Sequence, residues 1–343
     1  MAVPRHILVI RFSAMGDVAM CVPVLRRLLE AHPDLRLSVV SQAAFAPLFD
    51  GIDRLTFLPA ELKGLHRGIA GIWQLFRELQ AAGPFDGVAD LHQVLRSGML
   101  DSLFRLKGIP VSVINKGRRE KYALTRRTQK HLQPLPSTFH RYAAVFAQLG
   151  LPVDPESTLT SSVRDPSAGH LELVGRKRIG IAPFAKHQSK TWPQERMRRV
   201  VESLSNRGDI DIYLFGGGQS EIGILSAWAN DIQGLHCLAG KYTLAEELHI
   251  ISGLDLMVSM DSANMHLASM FGCPVVSVWG ATHPYAGFLG WGQDMSNVIQ
   301  SDLDCRPCSV FGNKPCYKGT YECMTSIEPE LVLKKILTTL RLD

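Results

Sequence analysis

The residues best placed to do chemistry in this 343-residue chain lie in a polar turn, DSANMH, that follows an apolar run. The run, LDLMVSM, is typical of a strand buried on both faces of a parallel sheet, and Asp261 comes directly after it. Residues 262–271 then predict a short helix that ends at Gly272. A helix N-terminus at the carboxyl edge of such a sheet offers N–H groups and a positive dipole end to a phosphate. The turn is therefore a candidate nucleotide-diphosphate site. Its alternative is an ordinary N-cap aspartate followed by a core histidine, His266.

Two further polar loops follow predicted strands in the same half of the chain. Lys190 lies in the loop FAKHQSKTWP after a strand at residues 179–183, and Glu221 follows three successive glycines after a strand at residues 211–215. A lysine is a mobile point charge that suits a phosphate which is bound and then released. An acidic side chain after a glycine-rich turn can accept hydrogen bonds from ribose hydroxyls. The alternatives are an exposed loop lysine and a loose turn.

The chain begins with a predicted strand at residues 7–10, the turn RFSAMGD and a helix at residues 18–31 that Pro23 should bend. A Rossmann dinucleotide site starts in the same way. Its fingerprint needs three glycines, however, and this turn has only Gly16. Asp17 ends the turn at the start of the helix, where the helix dipole favours an anion.

Strands and helices continue to alternate through the first half of the chain. Strands are predicted at residues 37–40, 55–58 and 87–90, and a helix at residues 69–82. Asp90 and His92 end one of these strands and should line the same cleft as Asp17. This alternation predicts an α/β fold with parallel sheets covered by helices on both faces.

Three segments resemble motifs of the ADP-heptose:lipopolysaccharide heptosyltransferases, glycosyltransferase family 9. DSANMHLASMFGCPVVSVWGATHP is similar to the family signature that begins D-[TS]-G-x-x-H and ends G-x-T-x-P, and it departs from that signature at Ala263, where the family usually has glycine. RFSAMGD resembles the element [RK]-x-[ST]-x-[LM]-G-D, and SKTWP resembles the K-x-W-P loop. The resemblance spans most of the chain.

The resemblance implies the GT-B architecture, with two Rossmann-like domains facing each other across a cleft. It also implies transfer of a heptosyl unit from ADP-heptose to a lipopolysaccharide inner-core acceptor, with inversion at the anomeric carbon. The family's proposed general base matches Asp17, for which an ordinary helix N-cap is the alternative. The residues implied to bind the donor are Ser13, Gly16, Lys190, Glu221, Tyr242, Asp261, Ser262, Ala263 and His266.

Within this donor site, Tyr242 is expected to cover the adenine, and a surface tyrosine is the alternative. No metal-binding D-x-D motif is evident in the sequence. We therefore expect Lys190 and a helix N-terminus, rather than a cofactor, to meet the charge of the leaving group. Two other functions fit the same architecture. An epimerase-like enzyme would turn over the donor without an acceptor, whereas a non-catalytic nucleotide-sugar or lipid-binding module would not turn it over at all.

A basic stretch at residues 105–130 contains nine lysines or arginines and one acid, Glu120, which gives +8 in a chain whose net charge is +5. Such a run is either a solvated loop or a binding surface for an anionic partner. Nucleic acid is not favoured, because few aromatics interleave with the charges. A phosphorylated or carboxylated glycolipid at an anionic membrane surface fits better. The candidate acceptor-binding residues are Asp90, His92, Arg118, Arg119, Arg126 and Arg127.

Four late cysteines, Cys305, Cys308, Cys316 and Cys323, form a C-x2-C pair followed by two single cysteines. The pattern is compatible with a structural zinc ion, although the second pair lacks the usual close spacing. Many members of the family resemble this pattern. We interpret the segment as a structural loop.

Length and composition bound the remaining possibilities. With 46% hydrophobic and 20% charged residues, the chain is globular and long enough for two domains. No apolar run reaches the roughly 18–20 residues that a membrane span needs, and the N-terminus does not read as a signal peptide. We predict a cytoplasmic protein, peripheral to the cytoplasmic face of the inner membrane. The predicted domains are an acceptor-binding one at 1–165, a nucleotide-sugar-binding one at 176–325 and a terminal helix at 326–343 that packs back on the first, with residues 151–175 as the linker.

Overall fold

The computed structural model describes residues 4–156 and 176–342. These residues form two compact units, one of residues 4–116 with 138–156 and one of residues 117–137 with 176–342. Most of the linker predicted from the sequence lies outside the described residues. The predicted domain boundaries stay a prediction.

The first unit is built on a parallel sheet with the strand order β3-β2-β1-β4-β5. Its strands are β1 (His6–Ile10), β2 (Arg36–Ser41), β3 (Leu55–Pro59), β4 (Gly87–Asp90) and β5 (Val111–Val113). Its helices are α1 (Met15–Ala19), α2 (Cys21–Ala31), α3 (Gly68–Ala81), α4 (Leu95–Leu106) and α6 (Thr138–Gln148), and a 3₁₀ turn covers Ala43–Phe49. Helix α5 (Arg118–Leu124) comes between α4 and α6 in the chain but belongs to the second unit. The central strand β1 is apolar and buried from Ile7 to Ile10, as a strand covered on both faces must be.

The helix predicted at residues 18–31 is two helices in the structure, α1 and α2, which meet at Met20. Pro23 has no N–H to donate to the carbonyl of Ala19, and its ring crowds that carbonyl. The first helix also starts earlier than predicted, at Met15. Asp17 consequently lies inside its first turn, at the third helical position, and Ala14 is the N-cap.

The second unit has a six-stranded parallel sheet with the order β11-β10-β9-β6-β7-β8. Its strands are β6 (Lys177–Ala182), β7 (Ile210–Leu214), β8 (Leu235–Cys237), β9 (Leu256–Met260), β10 (Val275–Trp279) and β11 (Val298–Gln300). Its further helices are α7 (Gln194–Ser205), α8 (Gln219–Asp231), α9 (Leu244–Ser252), α10 (Ala263–Met270), α11 (Glu322–Thr325) and α12 (Pro329–Leu340). Short 3₁₀ turns occupy Gln188–Lys190, Pro284–Ala286 and Met295–Asn297.

The terminal helix α12 packs against α7 and strands β9 and β10 of the second unit. Its apolar stripe of Val332, Ile336 and Leu340 is buried in the core of that unit. These three residues of the helix are therefore covered within the second unit, and the packing on the first domain that the resemblance implies stays a prediction.

Each sheet has one point where the chain reverses the direction in which it adds strands. In the first unit this switch point lies between β1 and β4, and in the second it lies between β6 and β9. In open parallel sheets, ligands bind outside the carboxyl ends of the strands at such a point. None of the helices in the two described ranges is long and apolar enough to cross a membrane.

Candidate active site

At the switch point of the first unit, an ion pair joins the loop after β1 to helix α1. The Arg11 guanidinium lies 2.6 Å from Oδ2 of Asp17. Arg11 also donates to the carbonyl of Leu91, which follows β4, at 2.6 Å. The arginine side chain is 7% exposed, whereas that of Asp17 is 35% exposed. This pair buries its cation and presents its carboxylate.

The backbone of α1 is anchored from a distant part of the chain. The buried Tyr142 of α6 donates its hydroxyl to the carbonyl of Asp17 at 3.1 Å. The thiol of Cys21 donates to the same carbonyl at 3.3 Å, and burial raises the pKa of this thiol to about 12, so that it stays protonated. Oδ2 of Asp17 accepts the N–H of Ala14 at 3.3 Å. Asp17 therefore braces its helix from the third position and is not its N-cap.

Asp90 and His92 are brought to the same switch point but are occupied by the local backbone. Oδ1 of the buried Asp90 accepts the N–H groups of His92 and Gln93 at 2.7 and 2.9 Å. Nδ1 of His92 accepts the N–H of Phe12 at 3.3 Å. Burial, and then the charges of Arg11 and Lys116, lower the pKa of His92 to about 4. Its Nε2 therefore carries the proton of a neutral ring, which makes His92 a donor and a poor proton acceptor.

A second carboxyl, which no sequence pattern singled out, lies beside Asp90. Asp101 comes from the buried face of α4. Burial, followed by the charge and hydrogen bond of Asp90, raises the pKa of Asp101 to about 8. Asp101 therefore keeps its proton at neutral pH.

At the switch point of the second unit, Lys190 and Asp261 form another ion pair, with Nζ 3.1 Å from Oδ2. The buried hydroxyl of Thr282, in the loop after β10, donates to the same carboxylate oxygen at 2.7 Å. Here the carboxylate is the less exposed partner, at 7%, and the lysine side chain is 15% exposed. A carboxylate would repel a diphosphate, so its contact with Lys190 indicates a positioning role for Asp261.

Helix α10 begins beside this pair, with Ser262 as its N-cap. The hydroxyl of Ser262 lies 3.0 Å from that of Ser259 and does not cap the helix. The N–H groups of the first turn lack intrahelical partners by geometry, so they are suited to an anion. Ser262 and Ala263 are half-buried there, and His266 is buried one turn further on.

Glu221 and Tyr242 follow the next two strands of the sheet. Oε2 of Glu221 accepts the N–H of Gly217 at 2.8 Å, which closes the glycine turn after β7. A Cβ at Gly216 would lie 2.8 Å from Cδ1 of Leu225, so close packing explains that glycine without a ligand. Tyr242 precedes α9 and is exposed.

The cysteine segment covers the stem of Lys190. The hydroxyl of Ser189 donates to the carbonyl of Gly312 at 2.6 Å. Gly312 has a φ of +72°, and a Cβ there would lie 2.4 Å from Cδ of Lys190. The buried Arg306, inside the C-x2-C pair, donates to the carbonyls of Gly280 and Thr282. These contacts fix the loop that carries Thr282 and so fix the Lys190–Asp261 pair.

The zinc hypothesis does not fit this arrangement. In the part of the chain that the structure describes, which includes all four late cysteines, no group of three or more His, Cys, Asp or Glu side chains could hold a metal ion. The segment is instead held by backbone carbonyls and Arg306, in accord with its interpretation as a structural loop.

Residues 117–137, which include the later part of the basic stretch, belong to the second unit. The reason is a set of contacts with the loops that follow β10 and β11: Nζ of Lys130 donates to the carbonyls of Asp304 and Arg306 at 2.8 and 2.7 Å, and the N–H of Leu135 donates to the carbonyl of Tyr285 at 2.9 Å. The stretch is thus folded and partly helical.

Arg126 and Arg127 line a pocket of about 890 Å³ together with Tyr122, Thr125, Thr128, Gln129, Cys308, Lys314, Pro315 and Tyr317. The guanidinium of Arg127 lies 4.3 Å from the ring centre of Tyr317, and that of Arg126 lies 5.2 Å from Tyr122. Arg118 and Arg119 are exposed on α5 and are not among the lining residues. Two of the four predicted arginines therefore line one pocket, and the other two do not.

Comparison with known proteins shows the family of this chain. The model of glycosyltransferase family 9 (heptosyltransferase) matches residues 72–316, which is more than half of the sequence. The chain belongs to glycosyltransferase family 9. The lipopolysaccharide core heptosyltransferase OpsX of Haemophilus influenzae is 24% identical over 291 residues, covering 82% of this chain and 80% of the relative.

Solved structures share the fold of this family 9 chain. A family 9 glycosyltransferase from Veillonella parvula superposes with a TM-score of 0.74 at 20% identity, covering 99% of this chain and 98% of that one. The E. coli heptosyltransferase WaaC with ADP-2-deoxy-2-fluoro heptose gives a TM-score of 0.69 at 20% identity, covering 97% and 99%. The predicted α/β fold of the GT-B class is confirmed, and the chain is a glycosyltransferase.

Several residues that shape this family 9 site were not singled out from the sequence. Arg11 and Thr282 lie inside the recognised motifs, so their positions were available but their roles were not. The other three residues, Tyr142, Asp101 and Arg306, lie outside the motifs that pointed to the site. The only available signal for them was a polar residue buried in an apolar helix or in a cysteine loop.

Proposed function

We propose that this protein is an inverting glycosyltransferase that moves a heptosyl unit from ADP-heptose to a lipopolysaccharide inner-core acceptor. The observation that carries the proposal is the contrast between two ion pairs at the two switch points. Arg11–Asp17 presents a carboxylate, and Lys190–Asp261 presents an ammonium group. Inverting transfer from a nucleotide sugar needs one of each. It needs a base for the acceptor hydroxyl and a cation for the leaving diphosphate.

In this proposal the donor binds the second unit. Lys190 and the first-turn N–H groups of α10 contact the diphosphate, while Asp261 and Thr282 hold Lys190 in place. His266 supports the first turn of α10 from its buried position. Glu221 accepts from the ribose hydroxyls through the oxygen that does not close the glycine turn, and Tyr242 covers the adenine. The remaining predicted donor contacts are Ser13, Gly16, Ser262 and Ala263.

Asp17 acts as the general base. Its carboxylate takes the proton of the acceptor hydroxyl as the hydroxyl oxygen bonds to the anomeric carbon. The bond from that carbon to the diphosphate oxygen breaks on the opposite face, and ADP leaves with the electron pair. The sugar is therefore inverted. The buried Arg11 orients the carboxylate through their ion pair, and Tyr142 fixes the backbone that carries it.

The acceptor in this proposal carries phosphate or carboxylate groups. Arg126, Arg127 and Lys314 give the pocket of the second unit three cations, and tyrosine and threonine hydroxyls add hydrogen-bonding partners. A charged inner core anchored in a membrane has this chemistry. We therefore propose that the enzyme works in the cytoplasm, in peripheral contact with the inner membrane.

A panel experiment tests this function. The protein is incubated with ADP-heptose or with other nucleotide sugars, each with and without a deacylated lipopolysaccharide core, and product masses are read. We expect one added heptosyl unit only when ADP-heptose and the core are both present. Donor turnover without the core would instead indicate an epimerase-like enzyme. Donor binding without turnover in any mixture would indicate a binding module.

A further inference from the structure

The outer face of helix α4 in the first unit is apolar. Leu95, Met99, Ser102 and Leu106 recur at the three- and four-residue spacing of one helical face. The inner face of the helix, with Leu100 and Phe104, is already buried in the core of the unit. A surface helix normally turns polar side chains outward. In the outer stripe, Leu95 and Leu106 are exposed, whereas Met99 between them packs partly against this core.

Helix α3 extends this apolar face. A groove of about 460 Å³ is lined by Ile69, Ile72, Trp73, Leu95, Gly98, Met99, Ser102 and Leu103. Its largest side chains are open to solvent: Leu95 is 84% exposed, Ile69 77% and Trp73 53%, and Leu106 on the same face of α4 is 82% exposed. We call this the α3–α4 surface. A contiguous apolar patch of this kind marks a place where something else binds.

The charges around the α3–α4 surface are mostly positive. Exposed cations lie within one helical turn of its exposed apolar side chains, at Arg67, Arg77, Arg96, Arg105 and Lys107. The exposed acids in the same segments are Glu61 and Glu78, and Oε2 of Glu78 is 3.0 Å from Nε2 of His66. A tryptophan and aliphatic side chains bordered by lysines and arginines match the interface of a bilayer with anionic headgroups.

A second copy of the chain is a poorer occupant. A two-fold contact through this surface would place the same patch on both partners, so the bordering cations would face one another. Like charges across an interface are unfavourable. The charge of the border therefore favours an anionic partner.

We propose that the α3–α4 surface docks on an anionic phospholipid bilayer, with Ile69, Trp73, Leu95 and Leu106 inserted at the headgroup boundary. The idea deepens the proposed function, since an enzyme that glycosylates a membrane-anchored acceptor has to reach that membrane. The cationic border supplies attraction to the headgroups, and the apolar side chains supply burial.

Cosedimentation with phosphatidylglycerol vesicles, alongside phosphatidylcholine vesicles, tests the proposal. The wild-type protein should bind the anionic vesicles more tightly, and added salt should weaken the binding. The triple variant Trp73→Gln/Leu95→Gln/Leu106→Gln should lower the partition coefficient by about tenfold or more, because it removes the buried apolar side chains. Leu331→Gln, a change of another exposed leucine on α12 of the second unit, should bind like the wild type.

The contribution of the bordering cations is tested by the same cosedimentation assay. Arg67→Gln/Arg96→Gln should weaken binding to phosphatidylglycerol severalfold and reduce its salt dependence, whereas Arg199→Gln on α7 should not. Brominated lipids should quench part of the tryptophan emission, and that part should vanish in Trp73→Phe. The other tryptophans are buried or half-buried.

Unchanged vesicle binding in the folded triple variant would overturn the proposal, and so would a wild-type protein that binds neither vesicle. A wild-type dimer that dissociates in the triple variant would also overturn it, in favour of self-association. Sugar transfer to the soluble deacylated core tests the proposed function alone, and its rate should be equal in the wild type and in all these variants. If none of these proteins transfers sugar but the variants still differ from the wild type in vesicle binding, only the proposed function is wrong.

Discussion

Each of the two switch points carries an ion pair, but the more exposed member of the pair is the carboxylate in the first unit and the cation in the second. In the first unit a buried arginine supports a carboxylate that is 35% exposed, and in the second a carboxylate that is 7% exposed supports a lysine. The first pair joins the loop after β1 to the helix that follows it, and the second joins loops that follow the neighbouring strands β6 and β9. The difference lies in which partner the surrounding packing covers. An ion pair alone therefore says little about function, whereas the relative burial of its two members indicates which charge is offered to a ligand.

The largest expected effect comes from removing the presented carboxylate. Asp17→Asn keeps the size and hydrogen-bonding capacity of the side chain but removes the base, so it should fold normally, bind ADP normally and lose turnover by roughly 100-fold or more. Initial rates of sugar transfer measure this loss, and Asp34→Asn on an exposed turn is the control. A transfer rate close to that of the wild type would contradict the role of Asp17 as the base and so the contrast between the two ion pairs. The base would then lie elsewhere, and the geometry already argues against His92.

Removing the presented cation should have the next largest effect. Lys190→Ala should weaken ADP binding by very roughly 1.5–3 kcal/mol, the range for a hydrogen bond to a charged group. Isothermal titration calorimetry measures it, with Lys186→Ala in the same loop as the matched control. Equal ADP affinity in the wild type and Lys190→Ala would take Lys190 out of the donor site.

The proton held near the first switch point should make stability depend on pH. Burial raises the pKa of Asp101 to about 8 in the folded protein, against an ordinary value of 3.8, so the folded state binds an extra proton between these values. Stability then falls as pH rises from about 4 to about 8. Asp101→Asn, which mimics the protonated acid, should remove this loss and gain stability relative to the wild type by on the order of 1 kcal/mol for each pH unit between pH 5 and pH 8.

Urea unfolding at the two pH values measures this change. Asp53→Asn, in an exposed turn, should show no such pH-dependent gain. If the stability of Asp101→Asn tracks that of the wild type at both pH values, Asp101 does not keep its proton at neutral pH.

The smallest expected effect concerns the support of Lys190. Thr282→Val removes the hydroxyl that donates to Asp261 while it keeps the shape of the side chain. It should weaken ADP binding by about 1 kcal/mol, less than Lys190→Ala, because the cation itself remains. The same titration measures it, and Thr339→Val on α12 is the control. A larger loss than that of Lys190→Ala would mean that Asp261 contributes more than positioning.

The sequence by itself determined the elements and the chemical types at their ends. The apolar run before Asp261 and the short helix after it were predicted nearly to the residue. This worked because strands buried on both faces are continuous apolar runs, and glycine and proline mark where helices stop. The motifs around Asp17 and Lys190 likewise indicated a base and a phosphate ligand.

Only the tertiary structure decided how those residues are used. The start of the helix at Met15 put Asp17 at its third position, and Tyr142, more than a hundred residues away, fixed its backbone. The pairing of Lys190 with Asp261 joins loops that are 71 residues apart in sequence, numbered 190 and 261. The basic stretch joined the second unit through backbone carbonyls, which no side-chain pattern encodes. Burial and long-range pairing depend on packing between distant segments, and local sequence carries the preference of each segment but not its neighbours.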